Sequence, residues 1–172
     1  LDQPAPGELA TPFGPSTFGR VRSDGANLLA RWQRTLDAGA SVSLQAYLDH
    51  TVRESPPLFA ERLTTADVQF QHTLATQGRH NLMWGANYRQ TRDRVGNSQW
   101  VAFLPADTNQ RWGSLFVQDE IALDDAWRLT LGGRAEYNHY TGVEWLPSAR
   151  LSWRMSPQHA FWASAARTVR SP

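Results

Sequence analysis

The 172-residue sequence predicts an all-β chain, an antiparallel up-and-down meander of about eight long strands, on three observations. Apolar and polar residues alternate one by one over most of the chain, which gives each strand one apolar and one polar face. The alternating runs are roughly 10 to 13 residues long, against the five or six usual in soluble sheets. Short turns also alternate with longer connections along the chain, as successive hairpins require.

The elements follow in order. Residues 1–24 are rich in Pro and Gly and hold no sustained period, so they read as a loop or an incomplete first element. From Ala26 the alternation begins: Leu28, Ala30, Trp32 and Leu36 share one face, opposite Asn27, Arg31, Gln33 and Thr35, with Arg34 interrupting the apolar side where a long cation can snorkel. The next run is strict, with Ala40, Val42, Leu44, Ala46 and Leu48 against Ser41, Ser43, Gln45 and Tyr47. Ala66, Val68, Phe70 and Leu74 then oppose Thr65, Asp67, Gln69, Gln71 and Thr73. Leu82, Trp84, Ala86 and Tyr88 oppose Asn81, Asn87 and Arg89.

In the second half, Leu115, Val117, Ile121 and Leu123 oppose Ser114, Gln118 and Glu120, with Asp119 an exception on the apolar side. The cleanest run is Trp127, Leu129, Leu131, Gly133, Ala135 and Tyr137 against Arg128, Thr130, Gly132, Arg134, Glu136 and Asn138. Its apolar face has aromatics at both ends and aliphatics between them, the arrangement of a strand that crosses two membrane interfaces. Trp145, Ala149, Leu151 and Trp153 repeat the pattern opposite Ser148, Arg150, Ser152 and Arg154, and Phe161, Ala163 and Ala165 carry it into the last run. Short turns are expected at Asp37–Gly39, Thr76–Arg79, Asp124–Ala126 and Ser156–Gln158, and longer loops at Arg53–Arg62, Arg92–Asn109 and His139–Glu144. All short turns then fall at one end of the meander and all long loops at the other, the asymmetry of barrels that span an outer membrane.

Composition narrows the function. With 17 basic and 16 acidic side chains the formal charge is +1, which leaves no field for holding a nucleic-acid backbone. Every basic residue is Arg, the cation suited to bidentate contact with carboxylates and phosphates. Zero Cys excludes disulfide scaffolds, thiolate zinc sites and thiol catalysis. No run approaches the roughly 18 apolar residues of a membrane helix, which says nothing against a β-barrel, whose strands average out to ordinary hydropathy. A soluble sandwich alternates as well, but its strands are shorter. It also has no use for Arg31, Gln45, Gln69, Gln71, Arg134, Glu136 and Arg150 crowding the polar faces of nearly every strand.

Signs of catalysis are weak. Asp119 and Glu120 are neighbours on a strand and so point to opposite faces, which keeps them from sharing a substrate. Asp124 and Asp125 fit turn chemistry. His50, His72, His80, His139 and His159 stand at no metal-ligand spacing, and no nucleophile elbow, phosphate loop or dinucleotide fingerprint occurs. The reading is therefore not an enzyme, with no metal and no cofactor.

One stretch carries a more specific signal. Phe116, Gln118, Asp119 and Glu120, then Leu129, Thr130, Leu131 and Arg134, then Pro147, Leu151 and Trp153, then Arg167, Arg170 and Pro172 follow one another at characteristic spacing. In these residues the chain resembles the β-barrel domain of TonB-dependent outer-membrane receptors; upstream it matches in strand periodicity alone. The resemblance implies the bacterial outer membrane, contact with its lipid, and uptake of a scarce nutrient, a ferric siderophore or similar small ligand. Family members add an N-terminal plug, a TonB-binding box and about twenty-two strands, whereas residues 25–172 supply about eight. The expectation is a partial barrel without plug or TonB box, so that TonB would be met only through the plug region. An isolated piece of this kind is expected to stay an open sheet or aggregate. The alternative is a small self-contained eight-stranded outer-membrane barrel serving as an adhesin or structural protein.

For a receptor, the candidate ligand-binding residues are Arg89, Arg134 and Arg150 on the polar faces, with Trp100 and Tyr140 in or beside the long loops. Arg suits an anionic chelate and aromatics can stack on it. A cross-strand charge ladder, in which these Arg residues and Glu136 fill the lumen side, is the simpler reading.

Overall fold

The computed structural model describes Glu8–Thr11, Gly14–Thr17 and residues 19–169. Among the described residues ten strands follow in order: β1 (Glu8–Thr11), β2 (Gly14–Thr17), β3 (Arg22–Thr35), β4 (Ser41–Ser55), β5 (Phe59–Thr73), β6 (His80–Gly96), β7 (Asp107–Ala122), β8 (Trp127–Asn138), β9 (Gly142–Arg154) and β10 (Ala160–Ala166). β1 and β2 pair as a separate small antiparallel hairpin. The other eight form one sheet in which each strand lies beside its sequence neighbour, from β3 to β10. This is the expected meander, and β3 and β10 are the end members of its order.

The chain divides into two compact units. One comprises the described parts of Leu1–Leu29 with Tyr47–Asp67 and Gln90–Gln110; the other comprises Ala30–Ala46, Val68–Arg89 and Arg111–Pro172. In the second unit the register is explicit: Leu115 opposes Ala135, Leu131 opposes Ala149, and Ala163 opposes Leu151, which joins the apolar sides of β7 to β10 into one face. Ser114 opposes Glu136 and Thr130 opposes Arg150, joining the polar sides into the other.

Burial runs opposite to a soluble sheet. Leu115 is 61% exposed, Leu131 44% and Trp145 65%, all on the apolar face, whereas the polar-face residues Ser114 and Asn138 are 8% and 2% exposed. Among the described residues the buried hydrophobic side chain is Ala40. A face-packed sandwich would hide its Leu, Val and Trp residues in a core. Here they turn outward, as they do where hydrocarbon is the solvent.

Aromatics mark the limits of that face. Trp127 and Trp153 oppose each other at the end of β8 and β9 beside the 124–126 turn and stack with centroids 5.2 Å apart, and Phe161 on β10 continues the row 5.8 Å from Trp153. Tyr137 and Trp145 close the face at the other end. From Trp127 to Tyr137 a strand rises roughly 34 Å at about 3.4 Å per residue, and a tilt near 45° brings this to roughly 24 Å, the height of an apolar barrel band.

The four short turns are built locally, as expected. Leu36 N–H bonds to Ala40 O, and Ala38 and Gly39 take positive φ between them. Gln77 and His80 exchange both backbone hydrogen bonds around Gly78, also at positive φ, where a glycine is unstrained. Asp124 Oδ1 accepts the N–H groups of Ala126 and Trp127, each at 2.7 Å, confirming its role in the turn. Ser156 Oγ does the same for Gln158 and His159.

Three expectations need correction. The segment 1–24, expected as a loop or an incomplete first element, holds the β1–β2 hairpin, and β3 already begins at Arg22. The strands are longer than their apolar alternation, with 15 residues in β4 and β5, 17 in β6 and 16 in β7. Two long loops shrink accordingly: the expected loop at Arg53–Arg62 is a three-residue turn at 56–58, closed by Leu58 N–H to Ser55 O, and His139–Glu144 reduces to 139–141. Only 97–106 remains long. Ladder hydrogen bonds continue after both faces have become polar, so hydrophobic alternation marks where lipid would stop rather than where pairing stops.

Candidate functional site

The polar face carries the charged chemistry. On β7 and β8, Arg128 Nη1 donates to Glu120 Oε1 at 3.0 Å, and on β8 Arg134 Nη2 lies 3.0 Å from Glu136 Oε2. Glu136 stands directly opposite Glu144 of β9. Two like charges in register repel, so each needs its own cation. Arg134 serves Glu136, and Arg167, just beyond β10, serves Glu144 at 3.1 Å while also donating to Trp145 O. Next along the face, the Arg150 guanidinium lies 5.6 Å from the centre of the Trp162 ring, a cation–π contact.

Close packing holds this face together. A Cβ on Gly85 would lie 2.6 Å from Phe116 Cε1 and would also strike the carbonyl oxygen of Phe70. The Phe116 ring of β7 thus lies over the bare backbone of β6, where only glycine leaves room. Phe116 opposes Arg134 in register, so the glycine seats the ring that flanks the charge network.

The apolar-side exception is explained by a partner. Asp119 Oδ2 lies 2.6 Å from His80 Nδ1, while its neighbour Glu120 turns to Arg128 on the other face. The two carboxylates are divided between the faces as strand geometry dictates.

In the other unit, the loop at 97–106 is closed on itself. Asn97 clasps Phe103 from both sides, donating from Nδ2 to its carbonyl at 3.1 Å and accepting its N–H at 2.9 Å. Ser98 Oγ accepts the N–H groups of Trp100 and Val101. Phe103 packs edge-on against Phe59, over which Arg53 lies at 5.7 Å, and Leu104 at the tip is 87% exposed.

The five candidate residues occupy separate places. Arg134 opposes Leu146 and Arg150 opposes Thr130, four positions apart along one face, and each has an intramolecular partner. Arg134 pairs along its own strand rather than across strands. Arg89 is exposed on β6. Tyr140 is exposed in the β8–β9 turn, its N–H bonded to Asn138 Oδ1, and Trp100 is half-buried in the 97–106 loop. Sequence reasoning passed over Trp162, the packing of Phe116 and the function of Arg167. Parity alone would have placed Trp162 and Phe116 on the polar face.

The comparisons with known proteins bear on this geometry. Residues 2–172 match the family model described as TonB dependent receptor-like, beta-barrel. The chain belongs to the TonB-dependent receptor β-barrel family. It is 25% identical over 144 residues to the iron-regulated outer membrane virulence protein of Vibrio cholerae serotype O1, covering 82% of this chain and 20% of that protein. Among solved structures it superposes on the siderophore receptor PirA from Pseudomonas aeruginosa with a TM-score of 0.74 at 17% identity, covering 92% of this chain and 28% of that one. The chain thus spans about a fifth of the length of the curated relative and 28% of the solved one. Membership places this chain in the bacterial outer membrane, and the family is one of receptors rather than enzymes. The motif residues Arg170 and Pro172 lie outside the described residues.

Proposed function

We propose that the chain forms part of the wall of a receptor that takes up ferric siderophores. The observation that carries this reading is the division of the sheet into a lipid-type apolar face and a polar face set with the exposed Arg89, Arg128, Arg134, Arg150 and Arg154. A ferric chelate is anionic, and forked guanidinium groups on a wet wall attract such ligands and bind them bidentately. The names of the two relatives, one iron-regulated and one a siderophore receptor, agree in pointing to iron. Arg89, Arg134 and Arg150 are the wall residues assigned to the ligand path, with Trp100 and Tyr140 as its aromatic contacts. Coupling to TonB belongs to the plug region of such receptors and not to their wall.

The test is uptake of radiolabelled iron in iron-starved cells lacking the gene that encodes this chain. Chelates of the catecholate, hydroxamate and citrate classes are supplied in turn. Loss of uptake for one class, restored by the gene and weakened in apparent affinity by Arg150→Gln, supports the reading. Unchanged uptake for every class overturns it.

A further inference from the structure

Ser152 of β9 stands at the centre of a cationic ring on the polar face, wholly within the second unit and at the short-turn end of its strands. Arg128 of β8 opposes it on one side and Trp162 of β10 on the other, while Arg150 and Arg154 flank it two residues away on its own strand. Alternation puts all five on one face, and Ser152 Oγ donates to the backbone carbonyl of Arg128 at 3.4 Å. Arg128 is thus the diagonal neighbour of both Arg150 and Arg154, at roughly 7 to 8 Å, and three long cations surround one short side chain. All three are exposed.

Little within the chain satisfies this charge. Among the described residues Glu120 is the carboxylate paired with the three, 3.0 Å from Arg128 with both partners substantially in solvent. Arg154 donates to the Asp125 carbonyl at 2.9 Å, and Arg150 leans on the Trp162 ring at 5.6 Å. A guanidinium carries five N–H donors, so most of the donors around Ser152 are left for a ligand. Trp162 is the second anomaly. The polar side of β10 is otherwise small, with Ala160, Ser164 and Ala166, yet it carries an indole that is 70% exposed even with Arg150 against it. A wall that met water alone would gain nothing from that ring, whereas a ligand that covers it removes apolar surface from water.

We propose that Arg128, Arg150, Arg154 and Trp162 form a second station for the anionic ferric chelate, at the end of the wall from which it leaves. The inference rests on the reading of the chain as part of a ferric siderophore receptor and adds a place to it. The short turns of an outer-membrane barrel face the periplasm. Arg128 and Ser152 are the immediate neighbours of Trp127 and Trp153, the aromatic row that marks that end of the apolar face. The guanidinium groups take the negative oxygens of the chelate through charge-assisted hydrogen bonds, and the indole takes a flat or apolar part of it. Exposure and ionic screening keep the hold weak, which suits a station that must release its ligand.

The experiment fills the station from within. In the full receptor containing this chain, Ser152→Glu tethers a carboxylate among the three guanidinium groups, and Ser152→Gln is its neutral match in size. Radiolabelled ferric catecholate, hydroxamate and citrate chelates are supplied to iron-starved cells, and the initial rate of energised uptake is divided by the amount bound on ice without energy. For the chelate that is taken up, this ratio is expected to be at least about fivefold lower in Ser152→Glu than in Ser152→Gln. Equal ratios overturn the proposal, including the case in which binding and uptake fall together, which would place Ser152 in the entry site. Increased leakage of a large antibiotic through the Ser152→Glu receptor would assign the cations to carboxylates of the plug region and likewise overturn it. Should Ser152→Glu lack the heat-modifiable mobility of a folded barrel, Trp162→Leu decides: a ratio at least about twofold below wild type supports the station, and the wild-type ratio overturns it. A wild-type receptor that binds none of the chelates removes the iron reading and the station with it, whereas normal wild-type uptake with equal Ser152 variants removes the station alone.

Discussion

Glu136 and Glu144 stand directly opposite each other on adjacent strands, and each is held by a different arginine, Arg134 from its own strand and Arg167 from beyond the end of β10. The arrangement ties the segment after β10 back to β9 by charge rather than by a ladder bond alone. Removing Arg167 leaves Glu144 facing Glu136 with one cation between them. Arg167→Ala is expected to cost about 0.5–1 kcal/mol, small because both partners are partly in solvent, and Glu144→Gln in the same protein should return most of it. Denaturant unfolding of the single and double variants checks this; equal losses in both would show that the charges are not coupled.

Gly85 is expected to tolerate no side chain. Gly85→Val must displace the Phe116 ring and the backbone at Phe70 and should destabilise by about 1–3 kcal/mol, whereas Gly85→Ala combined with Phe116→Ala should recover part of the loss. Thermal unfolding monitored by gel mobility separates these outcomes. A Gly85→Val protein as stable as wild type would mean that the ring does not rest on that backbone.

Much of this arrangement is legible in the sequence, and the unreadable parts have physical causes. Strand faces follow from alternation because every side chain on a strand must take one of two sides, so Leu129, Leu131 and Ala135 could be placed without coordinates. The turn role of Asp124 was equally local. The partners of Asp119 and Glu144 were not legible, since His80 and Arg167 reach them through pairing that brings distant segments together. Loop length was misread at Arg53–Arg62 for a different reason: Arg53, Glu54, Glu61 and Arg62 look like loop residues, yet a strand with water on both sides needs no apolar face. The charge ladder read from the polar faces brought Arg134 and Glu136 together, but residue type and face do not tell that the two pair along one strand rather than across strands.

The clasp around Phe103 leads to a prediction about dynamics. Asn97→Ala removes the two side-chain hydrogen bonds that clasp Phe103 in the 97–106 loop, at a local cost of about 1 kcal/mol each. Amide exchange over residues 98–104 should accelerate several-fold while the strands β6 and β7 remain protected. Unchanged exchange in the loop would show that the Ser98 hydrogen bonds and the Phe59 contact suffice to hold it.

The two faces also predict opposite tolerance to charge. Leu131 lies midway between the aromatic ends of the apolar face, and Leu131→Arg should cost about 2–4 kcal/mol in a bilayer, whereas Thr130→Arg on the polar face should cost less than about 1 kcal/mol. Folding yield into lipid vesicles measures both. Equal penalties would contradict a lipid-facing assignment for Leu131.

The central claim is that the apolar face meets lipid and the polar face does not, and site-directed spin labelling along β8 tests it most directly. Nitroxides placed in turn from Arg128 to Tyr137 in the bilayer-reconstituted receptor should show accessibility with a period of two. At Leu129, Leu131 and Ala135 dissolved oxygen should broaden the signal and a water-soluble nickel chelate should not, with the preference reversed or lost at Arg128, Thr130 and Arg134. Aqueous quenching at Leu129 and Leu131, with oxygen favoured at Thr130 and Arg134, would contradict the account.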